Sequence, residues 1–155
     1  MIKKKMMVIL ICLALSPMLQ APSKALARPF QILDDVILVD EDDGCRFIEV
    51  GFNVPMRYIK HFPYEKGKDL RIQLEPLNII RSDPSAQFRR EYPGSLSNEL
   101  SQLADVVFEG DVEGGPFLAV FFHDSHGFKV GQGGDFRSLI IGVSAGGETP
   151  CEPTP

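Results

Sequence analysis

The sequence predicts an all-β domain, a sandwich of two antiparallel sheets. Apolar residues alternate with a period of two through most of the chain, as in strands that bury one face. Clusters of glycine, proline and aspartate separate these runs, which is typical of strands joined by tight turns. The expected strands are residues 32–40, 45–53, 56–62, 69–77, 103–110, 116–123, 127–132 and 137–144.

The N-terminus has the three parts of a cleavable signal peptide. Lysines occupy positions 3–5, an apolar stretch follows, and Ala-Leu-Ala at positions 25–27 supplies a small-x-small cleavage signal. The apolar stretch is shorter than the about 20 residues that a membrane span needs, which argues against a permanent anchor. We therefore expect residues 1–27 to be removed on export to the periplasm.

Export changes the charge balance of the chain. The leader holds four lysines and no acidic residue, so its removal lowers the formal net charge from −5 to −9. A surface this acidic repels phosphate groups, which argues against nucleic acid or an anionic membrane as the main partner. The rest of the chain is long enough for one core. We expect that domain at residues 28–144 and a flexible Gly/Pro-rich tail at residues 145–155.

Two cysteines, Cys45 and Cys151, remain once Cys12 leaves with the leader. Disulfides persist in the periplasm, so a bridge between these two residues would tie the tail to a strand. The other outcome is a free Cys151 in a flexible segment. No histidine lies near either cysteine in the sequence, so the pair does not predict a metal site.

The chain contains an internal sequence repeat, which we call the echo. Ile48, Val50, Phe52 and Tyr58 recur seventy residues later as Leu118, Val120, Phe122 and Phe128. After the deletion of one residue, Leu70, Ile72 and Leu74 match Leu139, Ile141 and Val143. The echo predicts two similar three-stranded halves that bury the same apolar face against each other. Chance likeness between alternating strands is the alternative.

Three polar motifs are candidate chemical sites, and each favours a turn. His123 and His126 lie between two predicted strands, with no third metal ligand in view. The acidic run at residues 40–44 lacks the spacing of a calcium loop. The glycines at residues 131–135 precede a strand, whereas a phosphate loop precedes a helix. With no nucleophile elbow present, we expect neither an enzyme nor a cofactor or metal.

Two segments resemble the AMIN domain family. They are Phe47–Pro55, with the sequence FIEVGFNVP, and Leu70–Leu74, with the sequence LRIQL. The resemblance covers most of residues 32–144, including the segment Phe136–Val143 in the second half. It implies a β-sandwich of bacterial periplasmic proteins, found in cell-wall amidases and secretins, which directs its host to peptidoglycan or to an envelope machine. Family members usually accompany such a partner domain, and this chain carries a linker-like tail instead.

The expected contact surface combines the polar face of one hairpin with a basic loop at residues 78–102. The candidate residues are Arg57, Arg71, Gln73, Arg89, Arg90 and Tyr92. Hydrogen-bond donors beside an aromatic ring suit glycan hydroxyls and peptide carboxylates. We therefore expect a non-enzymatic periplasmic module that binds peptidoglycan or an envelope protein complex.

Two other functional classes stay open. A small-ligand carrier would enclose an apolar cavity lined by Phe52, Phe122 and Phe128, and the eleven phenylalanines of the chain argue for a filled core instead. An enzyme would require a pair of acids, or His123 and His126, to converge in a cleft.

Overall fold

The computed structural model describes residues 29–40, 45–78, 81–96, 103–144 and 149–153. Within these ranges the chain is all-β and antiparallel, as predicted. The strands are β1 (Leu33–Asp40), β2 (Cys45–Phe52), β3 (Met56–Phe62), β4 (Lys66–Pro76), β5 (Arg90–Glu91), β6 (Leu103–Glu109), β7 (Phe117–Gln132) and β8 (Ser138–Ser144). A single 3₁₀ turn, Ala86–Phe88, precedes β5 in the described part of the chain. The predicted signal peptide lies outside the described residues.

The described strands form one open sheet with two limbs. The first limb contains β1, β2, β8 and the C-terminal part of β7. The second limb contains β3, β4, the N-terminal part of β7, β6 and β5. Because β7 continues from one limb into the other, the expected sandwich of two separate sheets is not confirmed.

The predicted turn at His123–His126 is wrong, because this segment lies inside the 16-residue strand β7. Asp69 of β4 pairs with Phe121, and Gly67 pairs with His126, so one residue of β4 lies opposite four residues of β7. That residue, Lys68, donates a hydrogen bond through Nζ to the carbonyl oxygen of His123 at 3.0 Å. The polar run is therefore the part of β7 that connects the limbs.

The strand register repeats between the two halves of the chain. Ile48 faces Ile141 across β2 and β8, and its echo Leu118 faces Ile72 across β7 and β4. The neighbouring pairs repeat in the same way, namely Val50 with Leu139 and Val120 with Leu70. The echo in the sequence therefore corresponds to an echo in strand pairing.

The repeat includes four strand segments in each half rather than the three that we expected, namely β1 to β4 in the first half and β6, the two parts of β7, and β8 in the second. Val36 of β1 pairs with Val50, and Val106 of β6 pairs with Val120, so β1 and β6 are also equivalent. Since β2 pairs with β8 and β4 pairs with β7, each limb is assembled from strands of both halves.

The inner faces of both limbs enclose one core. Every echo residue except Tyr58 is buried there, and Tyr58 packs against its margin. Phe108 and Phe128 are the largest side chains with no exposed surface. Full burial of a side chain of this kind contributes about 1.5–3 kcal/mol to folding, so this shared core is what holds the limbs together.

Residues 149–153, which we call the strap, cross the outer surface of the first limb. Cys151 is buried and disulfide-bonded, and its Sγ lies 3.7 Å from the carbonyl oxygen of Val143. A Cβ atom at Gly142 would overlap the carbonyl oxygen of Cys151, and one at Gly131 would lie 2.8 Å from Cγ of Pro153. These two glycines therefore allow the strap to lie directly on the sheet.

The tail that we expected to be flexible thus contains an anchored segment. The side chain of Cys45 lies outside the described residues, so its bridge to Cys151 stays a prediction. The backbone register is compatible with that bridge, because Cys45 pairs with Ser144, next to Val143.

Candidate functional site

The outward side chains of the second limb form the candidate site, which we call the cleft face. One row across the strands runs from Lys60 of β3 to Arg90 of β5, and a second row runs from Phe62 to Val107. The first row is Lys60, Gln73, Phe117, Glu109 and Arg90, and the second is Phe62, Arg71, Ala119 and Val107. Three cationic and two aromatic side chains therefore lie on one side of the sheet, among neutral and acidic neighbours.

Two adjoining clefts open on this face. The smaller has a volume of about 290 Å³ and is lined by Lys60, His61, Phe62, Tyr64, Arg71, Gln73 and Phe117. The larger has a volume of about 490 Å³ and is lined by Phe62, Pro63, Lys68, Asp69, Leu70, Arg71, Ala119 and Phe121. Phe62 and Arg71 border both clefts. The lining of the smaller cleft includes no acidic residue.

Arg71 occupies the centre of the cleft face and is held on two sides. Its guanidinium carbon lies 5.6 Å from the ring centroid of Phe117, within cation–π range. Its Nη2 lies 2.9 Å from Oε2 of Glu109, a carboxylate that is almost fully buried. Nη2 of Arg90 approaches the other oxygen of Glu109 at 3.3 Å. One buried carboxylate thus forms ion pairs with both guanidinium groups.

Aromatic side chains form the rim of the smaller cleft. Phe62 is 71% exposed and Tyr64 is 68% exposed, with their rings edge to face at 6.5 Å. Exposed aromatic groups beside oriented polar groups are typical of a binding surface.

His61 supports this rim from below, and sequence reasoning missed it. Its Nε2 must donate to the carbonyl oxygen of Tyr64, at 3.0 Å, since a carbonyl only accepts. In the neutral ring Nδ1 then accepts from the hydroxyl of Tyr58, at 2.7 Å. Burial of the Tyr58 hydroxyl, together with the nearby Tyr64, raises the pKa of Tyr58. The hydroxyl therefore stays protonated and able to donate.

The structure separates the six predicted contact residues. Arg71, Gln73 and Arg90 share the cleft face, where Gln73 donates to the carbonyl oxygen of Gly114 at 2.7 Å. Arg57 lies in the next row of the same outward side, beyond the linings of both clefts, and forms an exposed ion pair with Glu75 at 2.7 Å.

The two remaining predicted residues, Arg89 and Tyr92, border a different groove, of about 390 Å³, beside the start of β1. Arg89 donates to the carbonyl oxygen of Phe30 at 2.8 Å and to Asp83 at 2.7 Å. Hydrogen bonds from Ser85 and Arg89 lower the pKa of Asp83. Arg89 therefore fastens the basic loop to the N-terminal segment and is not part of the cleft face.

Other residues of the cleft face were also missed from the sequence. Phe62 continues the alternate apolar positions Met56 and Tyr58 of β3, so the pattern predicts a buried side chain, and the register shift between Tyr58 and Lys60 turns Phe62 outward instead. Nothing in the sequence marks Glu109 as buried, because its two guanidinium partners come from different strands.

His123 and His126 do not converge. They lie three residues apart in an extended strand, where such side chains point to opposite faces. His123 is exposed, whereas His126 is half-buried against Phe122, with ring centroids 5.6 Å apart. In the described part of the chain, no group of three or more side chains could hold a metal ion.

The phenylalanines assigned to an apolar cavity lie in the core. Phe52, Phe122 and Phe128 are all buried, and the rings of Phe122 and Phe128 stack at 6.1 Å. The clefts described above are lined by other residues.

No protein-family model, curated protein or solved structure matches the chain. The resemblance to the AMIN family therefore stays a prediction based on the sequence pattern. Among the residues described, none of the helical structure is long or apolar enough to cross a membrane. The fold and the site together define an antiparallel all-β domain with one cationic, aromatic-rimmed face.

Proposed function

We propose that the protein is a non-enzymatic binding module of the bacterial cell envelope and that the cleft face is its contact surface. The observation that carries this proposal is the position of Arg71, oriented by Glu109 and Phe117 and flanked by the exposed ring of Phe62. A guanidinium group held in place loses less entropy when it binds a carboxylate or a hydroxyl.

The proposed ligand is peptidoglycan or an envelope protein complex. Both present carboxylates and hydrogen-bond acceptors, which Lys60, Arg71 and Arg90 can bind. The mature chain is strongly acidic overall, so a cationic face gives an anionic partner a preferred orientation of approach.

Export to the periplasm is part of the same proposal. The signal-peptide pattern supports it, and so does the disulfide at Cys151, because disulfides persist in oxidising compartments.

The alternative of a small-ligand carrier has less support. Such a carrier needs an under-filled core, and the three phenylalanines that would line the cavity are instead buried among core side chains. Co-purification of an apolar molecule with the protein would reverse this ranking.

The proposal is tested by sedimentation of the processed protein with purified insoluble peptidoglycan at two salt concentrations. An unrelated acidic β protein serves as the control for trapping. We expect specific sedimentation that weakens as salt rises, because the contact is partly ionic. If the protein stays in the supernatant, direct wall binding is wrong and only the protein-complex form of the proposal remains.

A further inference from the structure

The repeat in strand pairing makes the outer faces of the two limbs equivalent. Lys60 faces Gln73 in the second limb, and Lys129 faces Gly142 in the first. Gln73 is in turn paired with Phe117, as Gly142 is with Phe47. Lys60 therefore corresponds to Lys129, and Phe117 corresponds to Phe47.

On the first limb this outer face is already occupied by an extended peptide, the strap. Cys151 lies over Gly142 beside the ring of Phe47. Glu152 forms an ion pair with Lys129, and Pro153 covers Gly131. Phe47 is only 8% exposed although it lies outside the central core. The strap thus binds this face through an apolar contact, an acidic side chain and a proline.

On the second limb the equivalent positions are open. Lys60 is exposed and pairs with no acidic side chain among the described residues. Phe117, the counterpart of the covered Phe47, is half-buried and lines the smaller cleft. The second limb therefore presents the same cation and ring as the first without the peptide that covers them.

We infer that the cleft face binds an extended peptide segment of a partner protein, with an acidic side chain of that segment paired to Lys60. The segment lies across β3, β4 and β7 as the strap lies across the equivalent strands of the first limb. This inference rests on the proposed function, and it adds an extended protein segment to the ligands proposed for the cleft face.

The two limbs differ at two equivalent positions, and these differences change the kind of peptide that fits the second limb. The first limb has Gly131 where the second has Phe62, so the bound segment lies against an aromatic wall and not directly on the backbone. The first limb has Ile140 where the second has Arg71, which adds a second cation. The cleft face therefore favours a segment more acidic than the strap.

The test is an NMR titration of the isotope-labelled protein with two blocked synthetic peptides. One has the sequence Thr-Pro-Ser-Glu-Pro, copied from the strap with serine in place of cysteine, and the other has glutamine in place of glutamate. We expect the glutamate peptide to shift the signals of the cleft face and to bind about fivefold more tightly than the glutamine peptide.

Variants locate the contact. Lys60→Gln should remove the preference for glutamate, while the matched variant Lys66→Gln, which removes an exposed lysine that lines neither cleft, should keep it. Arg71→Gln provides a second removal of positive charge should Lys60→Gln disturb the fold. Equal binding of the two peptides, or a preference that survives both Lys60→Gln and Arg71→Gln, overturns the inference.

The same experiment separates this inference from the proposed function. If neither peptide binds while peptidoglycan still sediments the protein, and Phe62→Ala abolishes that sedimentation, the cleft face is a wall-binding surface and the peptide inference is wrong. If neither the peptides nor peptidoglycan bind, both the inference and direct wall binding are wrong.

Discussion

Ile48 faces Ile141 across β2 and β8, and the same pairing recurs between Leu118 and Ile72 in the other limb. The two halves of the chain thus share one register and exchange strands, so that each half completes the sheet of the other. The outer face of the first limb carries the strap, and the equivalent face of the second limb remains open as the cleft face.

The exchange predicts that one half cannot fold alone. A fragment of residues 29–78 keeps β1 to β4 but loses β7 and β8, the partners of β4 and β2. We expect its monomer to be unfolded by circular dichroism and by amide exchange, whereas the whole chain is folded. A cooperatively unfolding monomer of the fragment would contradict the exchange.

Arg71 and Arg89 should differ in binding, although both were candidate residues in the sequence. Arg71→Ala should weaken sedimentation with purified peptidoglycan several-fold, because it removes the cation at the centre of the cleft face. Arg89→Ala should leave sedimentation unchanged, since Arg89 binds Phe30 and Asp83. Equal losses in the two variants would show that the cleft face is not the contact surface.

Gly142 should tolerate no side chain, because a Cβ atom there overlaps the strap. We expect Gly142→Ala to lower the free energy of unfolding by about 1–3 kcal/mol, the usual cost of overpacking. Gly134→Ala is the matched control, since a Cβ atom there meets nothing within 4 Å. Chemical denaturation of both variants checks this, and equal stability would mean that the strap does not lie on Gly142.

The disulfide at Cys151 should hold the strap in place. We predict that non-reducing peptide mapping identifies Cys45 as its partner. Cys151→Ser should lower the free energy of unfolding by about 2–4 kcal/mol. The difference should disappear when both proteins are measured with a thiol reductant. A bridge to another partner, or none, would refute the predicted pairing.

Asp83 should contribute to the pH dependence of stability. Its folded pKa lies below the ordinary value of 3.8 because of hydrogen bonds from Ser85 and Arg89. A group with a lowered folded pKa stabilises the fold above its ordinary pKa, and this contribution is lost as the pH falls through the folded value. Asp83→Asn should therefore be less stable than wild type at about pH 6, with a smaller difference at about pH 3. A difference that grows in acid would contradict this assignment.

The sequence predicted the strands well, because period-two alternation directly reports which face of a strand is buried. It was wrong about β7, since the polar run from His123 to His126 has the composition of a turn but lies between limbs. It also left a fourth strand pair, β1 and β6, out of the repeat, although Val36 and Val106 are seventy residues apart like the first echo pairs. Residue composition alone does not reveal that β7 continues through this polar run.

The candidate site was predicted in part. Alternation placed Arg71 and Gln73 on the outward face of β4, and the structure agrees. The partners of Arg71 could not be predicted, because Glu109 and Phe117 reach it only through the strand order β6-β7-β4. Arg89 and Tyr92 were grouped with them by closeness in sequence, which does not report position in space.

The most direct test of the central claim is to map the binding surface by NMR with soluble peptidoglycan fragments and, separately, with the acidic peptide. The claim is that the cleft face is the contact surface. It predicts that the largest signal changes cluster at Lys60, Phe62, Arg71 and Phe117 with at least one of these ligands. Changes confined to the first limb, around Ile37 and Val39 of β1, would contradict it.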